Sequence, residues 1–153
     1  TVKNLFNQDF KELIQLLNKH SVEYILVGGY AVILHGYIRT TGDLDIWLNR
    51  TEENYAQFSL AGNEFGLPMQ QIDKETFLYD KETDVFSFGR PPSGLDVMLD
   101  VKGLVFDEVF DQCEMRQVDD LEVRLIHINS LKIAKKAAGR PRDISDLEHL
   151  EQE

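Results

Sequence analysis

Two aspartates separated by one apolar residue, in Asp43-Leu44-Asp45-Ile46, are the residues of this chain best suited to chemistry. In an extended strand, residues i and i+2 point to the same face, so the two carboxylates project side by side, about 7 Å apart along the strand. Like charges so placed repel each other, and a divalent cation between them removes that cost. Upstream, across a spacer of thirteen residues, Val27-Gly28-Gly29 closes a short apolar run. Glycines there can bring bare backbone N–H groups up to a phosphate. A phosphate cradle beside a carboxylate pair is the equipment of nucleotide chemistry. Each half also has a plainer explanation. Asp43 follows Gly42 and could cap a turn, leaving Asp45 as an exposed strand residue, and the glycines could simply supply positive φ. A calcium loop fails because Trp47 holds its fifth position and no glycine holds its sixth. A dinucleotide fingerprint fails because Gly28-Gly29-Tyr30-Ala31-Val32 lacks the G-x-G-x-x-G spacing.

The elements that must position these groups can be read from periodicity. Phe6, Phe10, Leu13, Ile14 and Leu17 recur at helical spacing and predict an amphipathic helix over 7–19. Residues 24–27 read as a short strand, 30–34 as a short helix closed by His35-Gly36, and 44–48 as the strand bearing the acidic pair. Thr51 opens a helix to about Phe65 as its N-cap, with Glu52 and Glu53 in the first turn. Residues 69–82 carry no clear period. Residues 85–88 and 95–101 read as strands around the Gly89–Gly94 turn, with Asp96, Met98 and Asp100 on one face of the second. A short helix at 106–113 and a hairpin of 115–118 with 121–126 follow. Asn129 or Ser130 caps a helix running to Ala138, Gly139-Arg140-Pro141 stops it, and a last helix starts at Asp143 or the residue before it. Early alternation of strands and helices followed by a strand meander predicts an α+β (mixed α/β) fold: one mixed sheet flanked by helices, with a helical C-terminal part.

Bulk properties narrow the function. A chain of 153 residues fits a single domain over 1–153, with 42% hydrophobic and 28% charged residues. The net charge of −11 disfavours loose, nonspecific nucleic-acid binding. No apolar run approaches a membrane span, and Thr1-Val2-Lys3-Asn4 lacks the layout of a signal peptide. Cys113 is the one cysteine, so no internal disulfide forms, which fits a reducing cytoplasm.

Taken together, Val27-Gly28-Gly29, the spacer and Asp43-Leu44-Asp45-Ile46 resemble the signature of the DNA polymerase β-like nucleotidyltransferase superfamily. The words Gly29-Tyr30-Ala31-Val32, His35-Gly36 and Arg39-Thr40, and the tail from Lys135 to Asp143 followed by Asp146-Leu147, are similar to small bacterial AbiEii-like members of abortive-infection and toxin–antitoxin systems. The resemblance covers roughly residues 20–48 and 94–150. It implies transfer of an NMP group from an NTP donor to a hydroxyl acceptor, with two Mg²⁺ ions holding the attacking and leaving oxygens. The acceptor it allows is a protein side chain, an RNA end or a small molecule. The runner-up is a catalytically weak module that works beside a toxin or antitoxin partner.

The resemblance assigns Asp43 and Asp45 to the metals and calls for a third carboxylate on a neighbouring strand. Leu95-Asp96-Val97 matches that pattern, with Asp100 as the rival. Gly28 and Gly29 would admit the β- and γ-phosphates. Arg39 and Thr41 could line the cleft or merely shape the turn. Lys132, Lys135 and Lys136 share one helical face and, with Arg140 and Arg142, form a basic cluster. It could contact the triphosphate or the acceptor, or simply complement a helix C-terminus. Trp47 shares the acidic face by alternation and could stack on a base or lie in the core. His35 reads as a packed helix-end residue and Cys113 as a core residue. Ser93 lies in no nucleophile-elbow context.

Overall fold

The structure, a computed structural model, describes residues 4–90 and 94–152. Ser93 and the middle of the Gly89–Gly94 turn lie outside the described residues, as do Thr1–Lys3 of the N-terminal reading. Among the described residues the chain folds as α1 (Gln8–Lys19), β1 (Tyr24–Val27), α2 (Gly28–Leu34), β2 (Leu44–Leu48), α3 (Glu52–Phe65), a 3-10 turn (Met69–Gln71), α4 (Lys74–Tyr79), β3 (Val85–Phe88), β4 (Leu95–Met98), α5 (Phe106–Gln112), β5 (Glu114–Val118), β6 (Leu121–Leu125), α6 (Ile128–Ala138) and α7 (Pro141–Glu151). The six strands form one sheet in the order β3-β4-β2-β1-β6-β5. β2 runs parallel to β4 and β1 parallel to β6, while the other neighbours are antiparallel. The fold is α+β, as the alternation of elements predicts.

The central strands β1 and β2 are apolar except for Asp45, because both their faces are covered. All four residues of β1 are buried, and so are Leu44, Ile46, Trp47 and Leu48 of β2. α1 buries Phe10, Leu13, Ile14, Leu16 and Leu17, and starts where the Asn7 side chain accepts a hydrogen bond from the Phe10 N–H at 2.8 Å. Thr51 caps α3 as expected, and Gly66 ends it in the left-handed region at φ 100°. Trp47 is a core residue, 2% exposed, edge-on to Phe106.

Several boundaries differ from the sequence expectation. α2 begins at Gly28, directly off β1, so the glycines are its first turn and not a separate loop. β4 ends at Met98, which leaves Asp100 exposed and outside the strand. Residues 69–82 hold a 3-10 turn and α4, which Asp73 caps. This segment is pinned by Arg50, whose guanidinium donates to the carbonyls of Phe77 (2.6 Å), Thr76, Asp80 and Thr83. The period is weak there because the segment is anchored by isolated buried side chains, Ile72 and Phe77, and by one arginine just beyond β2. α6 is capped by His127, whose ring accepts from the Asn129 N–H at 3.1 Å, and not by Asn129 or Ser130. α7 starts at Pro141, one or two residues earlier than the expected start at Arg142 or Asp143. Proline at the first helical position has no N–H to satisfy, and Asp143 at the third accepts from the Arg140 N–H at 3.2 Å.

No helix among the described residues is long and apolar enough to cross a membrane.

Asn54 ties α3 to the sheet. Its side chain, 3% exposed, accepts from the Glu23 N–H at 2.7 Å and donates to the Glu23 and Asn49 carbonyls at 3.0 and 2.9 Å. Asn54→Ala strands three backbone groups, and we expect urea unfolding to show a loss of about 2–3 kcal/mol. A loss under about 0.5 kcal/mol would mean that water replaces the amide without penalty.

Candidate functional site

The register between β2 and β4 brings two of the three expected carboxylates together. The strands run parallel with Asp45 opposite Asp96, and Val27 on the other flank faces Asp45. Asp43 lies just before β2, at the point where the Leu44 N–H donates to the Gly94 carbonyl at 2.9 Å. Asp100, beyond the end of β4, does not join them.

Glycines make room for this cluster. A Cβ on Gly28 would collide with the Asp45 carboxylate, and a Cβ on Gly94 with the Asp43 carboxylate. Gly28 also has φ of +71°, which disfavours any side chain. A Cβ on Gly29 would collide with the Thr41 hydroxyl and lie 3.3 Å from Arg39 Nη1. The glycine pair is thus required first by the chain's own side chains, which close against the start of α2. Gly94 was overlooked in the sequence because it reads as one more turn residue.

The electrostatics follow from this crowding. Burial, the adjacent Asp96 charge, a hydrogen bond shared with Asp96 and the Asp43 charge push the Asp45 carboxyl up to about 7, and Lys135 opposes them. Asp96 accepts a hydrogen bond from the Ser87 hydroxyl at 2.7 Å, across the β3–β4 pair. Ser87 carried no signal beyond being the polar residue between Phe86 and Phe88. Tyr30 packs its ring against Phe6 and Phe10, and its phenol is pushed up by burial and then by the Asp43 charge. Among the described residues, no three His, Cys, Asp or Glu side chains are drawn together tightly enough to form a metal cluster.

The expected cations are distributed unevenly. Arg39 is locked to Asp146 through two hydrogen bonds, at 2.8 and 2.9 Å, with Asp146 only 1% exposed. Lys135 is buried and bridges Asp146 (2.9 Å) and Asp143 (3.3 Å), while Arg140 donates to Asp143 at 2.6 Å. Lys135 and Arg140 nevertheless lie near enough for their charges to be felt at Asp45. Lys132 is half-buried and Lys136 exposed, so the common face expected of the three lysines is split by burial. Asp143 and Asp146, the carboxylates that organise these cations, stand in the sequence within the family-like tail but with no site role assigned to them. Their spacing of three puts them on one face of α7, and they meet Lys135 from the neighbouring helix α6.

Other candidates lie elsewhere. His35 is packed, with Nε2 2.7 Å from the Ile126 carbonyl and burial lowering its basicity. Cys113 is half-buried, donates to the Val109 carbonyl at 3.3 Å, and is pushed up to about 11 by burial.

No family model matches the chain, and neither does any curated protein.

The Asp45 shift sets a pH dependence. Its carboxyl titrates at 3.8 unfolded and about 7 folded, so between these values the folded state holds a proton that the unfolded state has lost. Stability therefore falls as pH rises through this window. In metal-free buffer, Asp45→Asn should raise the unfolding free energy by a few kcal/mol at pH 8 and change it little near pH 4. Equal effects at both pH values in chemical denaturation would contradict the buried, repelled carboxylate.

Proposed function

We propose that the chain is a Mg²⁺-dependent nucleotidyltransferase of the polymerase β-like type, moving an NMP group from an NTP to a hydroxyl acceptor. One observation carries the reading: Asp45 and Asp96 stand opposite each other on parallel strands, with Asp43 at the strand entrance and glycines on either side. This is costly to build unless the charge is used. The donor set fits magnesium, which favours carboxylate and phosphate oxygens over nitrogen or sulfur. Asp43, Asp45 and Asp96 would hold the ions. When bound, these would neutralise phosphate charge and align the oxygens that enter and leave phosphorus.

The chain's own residues supply the rest. The acceptor O–H gives up its proton toward Asp96, its oxygen bonds the α-phosphorus, and the bond from that phosphorus to the bridging oxygen breaks, releasing pyrophosphate. Arg39 and Thr41, which close on Gly29 at the start of α2, would meet the outgoing phosphates in this reading. Exposed Lys136 and half-buried Lys132, on the helix that carries Lys135, would add positive charge. The net charge of −11 weighs toward a protein or a small cationic acceptor rather than RNA.

A second reading, a regulatory module beside a toxin or antitoxin partner, draws on a different observation. Arg39, Lys135 and Arg140 are already paired with internal carboxylates and are not idle phosphate ligands.

With each α-³²P-labelled NTP, Mg²⁺ and an NTP-depleted cell extract as acceptor source, the wild-type chain should incorporate label. Asp43→Asn and Asp45→Asn should each reduce incorporation at least about a hundredfold. Transfer at the wild-type rate in both variants would sink the catalytic reading. Absence of any NTP-induced thermal shift at millimolar Mg²⁺ would favour the regulatory one.

A further inference from the structure

The segment 38–43 leads from α2 to the acidic strand and carries Arg39, Thr41 and Asp43. Among the described residues, none of its backbone groups bonds to the backbone of the sheet or of a helix. What holds it is one face of α7. Arg142, Asp146 and His149 fall at i, i+4 and i+7, a single helical stripe. Arg142 donates to the Thr40 carbonyl at 2.9 Å, Asp146 takes Arg39 in a two-bond fork, and His149 stacks flat on Tyr37, the residue just before the segment, with ring centroids 3.8 Å apart and planes within 1°. The segment is thereby zipped along α7 in the opposite direction to the helix.

Asp146 is the centre of the zipper. At 1% exposure its carboxylate is satisfied by Arg39 on one oxygen pair and by Lys135 at 2.9 Å, so one buried charge fixes a cation from the segment and a cation from α6. The Arg39 guanidinium, held there, is the group that lies against Gly29 beside Thr41. Small displacements of α7 would thus be passed to the phosphate-side residues without altering the sheet.

We propose that α7 is a clasp, with Asp146, Arg142 and His149 as positioning residues that hold segment 38–43 against the start of α2 and so set the affinity for the nucleotide donor. The nucleotide part rests on the nucleotidyltransferase reading; the clasp itself does not.

Limited trypsinolysis of the whole chain tests the clasp, because Arg39 is a cleavage site whose side chain is only 12% exposed. Asp146→Asn should speed cleavage after Arg39 at least about tenfold while cleavage after Arg50, pinned by four carbonyls, stays at its wild-type rate. Arg142→Ala and His149→Ala remove exposed side chains, and should speed the same cut about two- to fivefold. Unchanged cleavage after Arg39 in all three variants, or an equal rise after Arg50, overturns the clasp. The second readout is the Mg²⁺–NTP dissociation constant from thermal shifts, taken with each of the four NTPs. It should rise several-fold in Arg142→Ala and His149→Ala. Faster cleavage with an unmoved constant reduces the contact to a structural one and overturns the positioning role. No shift in the wild-type chain defeats the nucleotidyltransferase reading, and the nucleotide role with it, while the proteolysis still decides the clasp.

Discussion

The parallel pairing of β2 with β4 places Asp45 opposite Asp96, and the repulsion between these carboxylates is the constraint around which the site is arranged. Two acids on one strand could turn apart. Two acids in register on hydrogen-bonded strands cannot, because the ladder fixes both Cα positions. The shift of Asp45 toward neutrality is the response of a group denied both water and distance. Its neighbours give way in the same manner. Gly28 and Gly94 have surrendered their side chains to the Asp45 and Asp43 carboxylates, and Ser87 donates a hydroxyl proton to Asp96.

Much of this was legible in sequence wherever a local pattern dictates it. β1, β2 and β3 match their expected bounds because short apolar runs between turn residues have few other ways to be buried. Thr51 and Gly66 bracket α3 through backbone chemistry that depends on those residues alone. The acidic pair and its glycines were visible as a motif, and so was Asp96. The choice between Asp96 and Asp100 was not, because both alternate correctly; the strand ends at Met98, a fact of pairing with β3 and β2.

What escaped the sequence depends on contacts distant along the chain. Arg50 gathers four carbonyls from residues 76–83, and no window around either segment contains both. The pairing of Arg39 with Asp146 spans 107 positions. Burial also changed the meaning of residues whose types were read correctly. Lys135 and Lys136 are neighbours in a basic run, yet one is enclosed between two carboxylates and the other faces solvent.

The last two aspartates of the sequence, Asp143 and Asp146, resolve a problem that Asp43, Asp45 and Asp96 create. A half-buried acidic cluster attracts any nearby cation, and Lys135 and Arg140 are close enough to act on Asp45. Left without partners, such side chains would gain most by closing onto Asp45 and Asp96, filling the space a metal and a phosphate would need. Asp143 and Asp146 compete for the same cations from a helix packed on the far side of them. The ion pairs Lys135–Asp143, Lys135–Asp146 and Arg39–Asp146 thus hold positive charge beside the acidic cluster without letting it collapse onto it. Held in this way, the cations temper the repulsion at Asp45 without forming an ion pair with it or with Asp96.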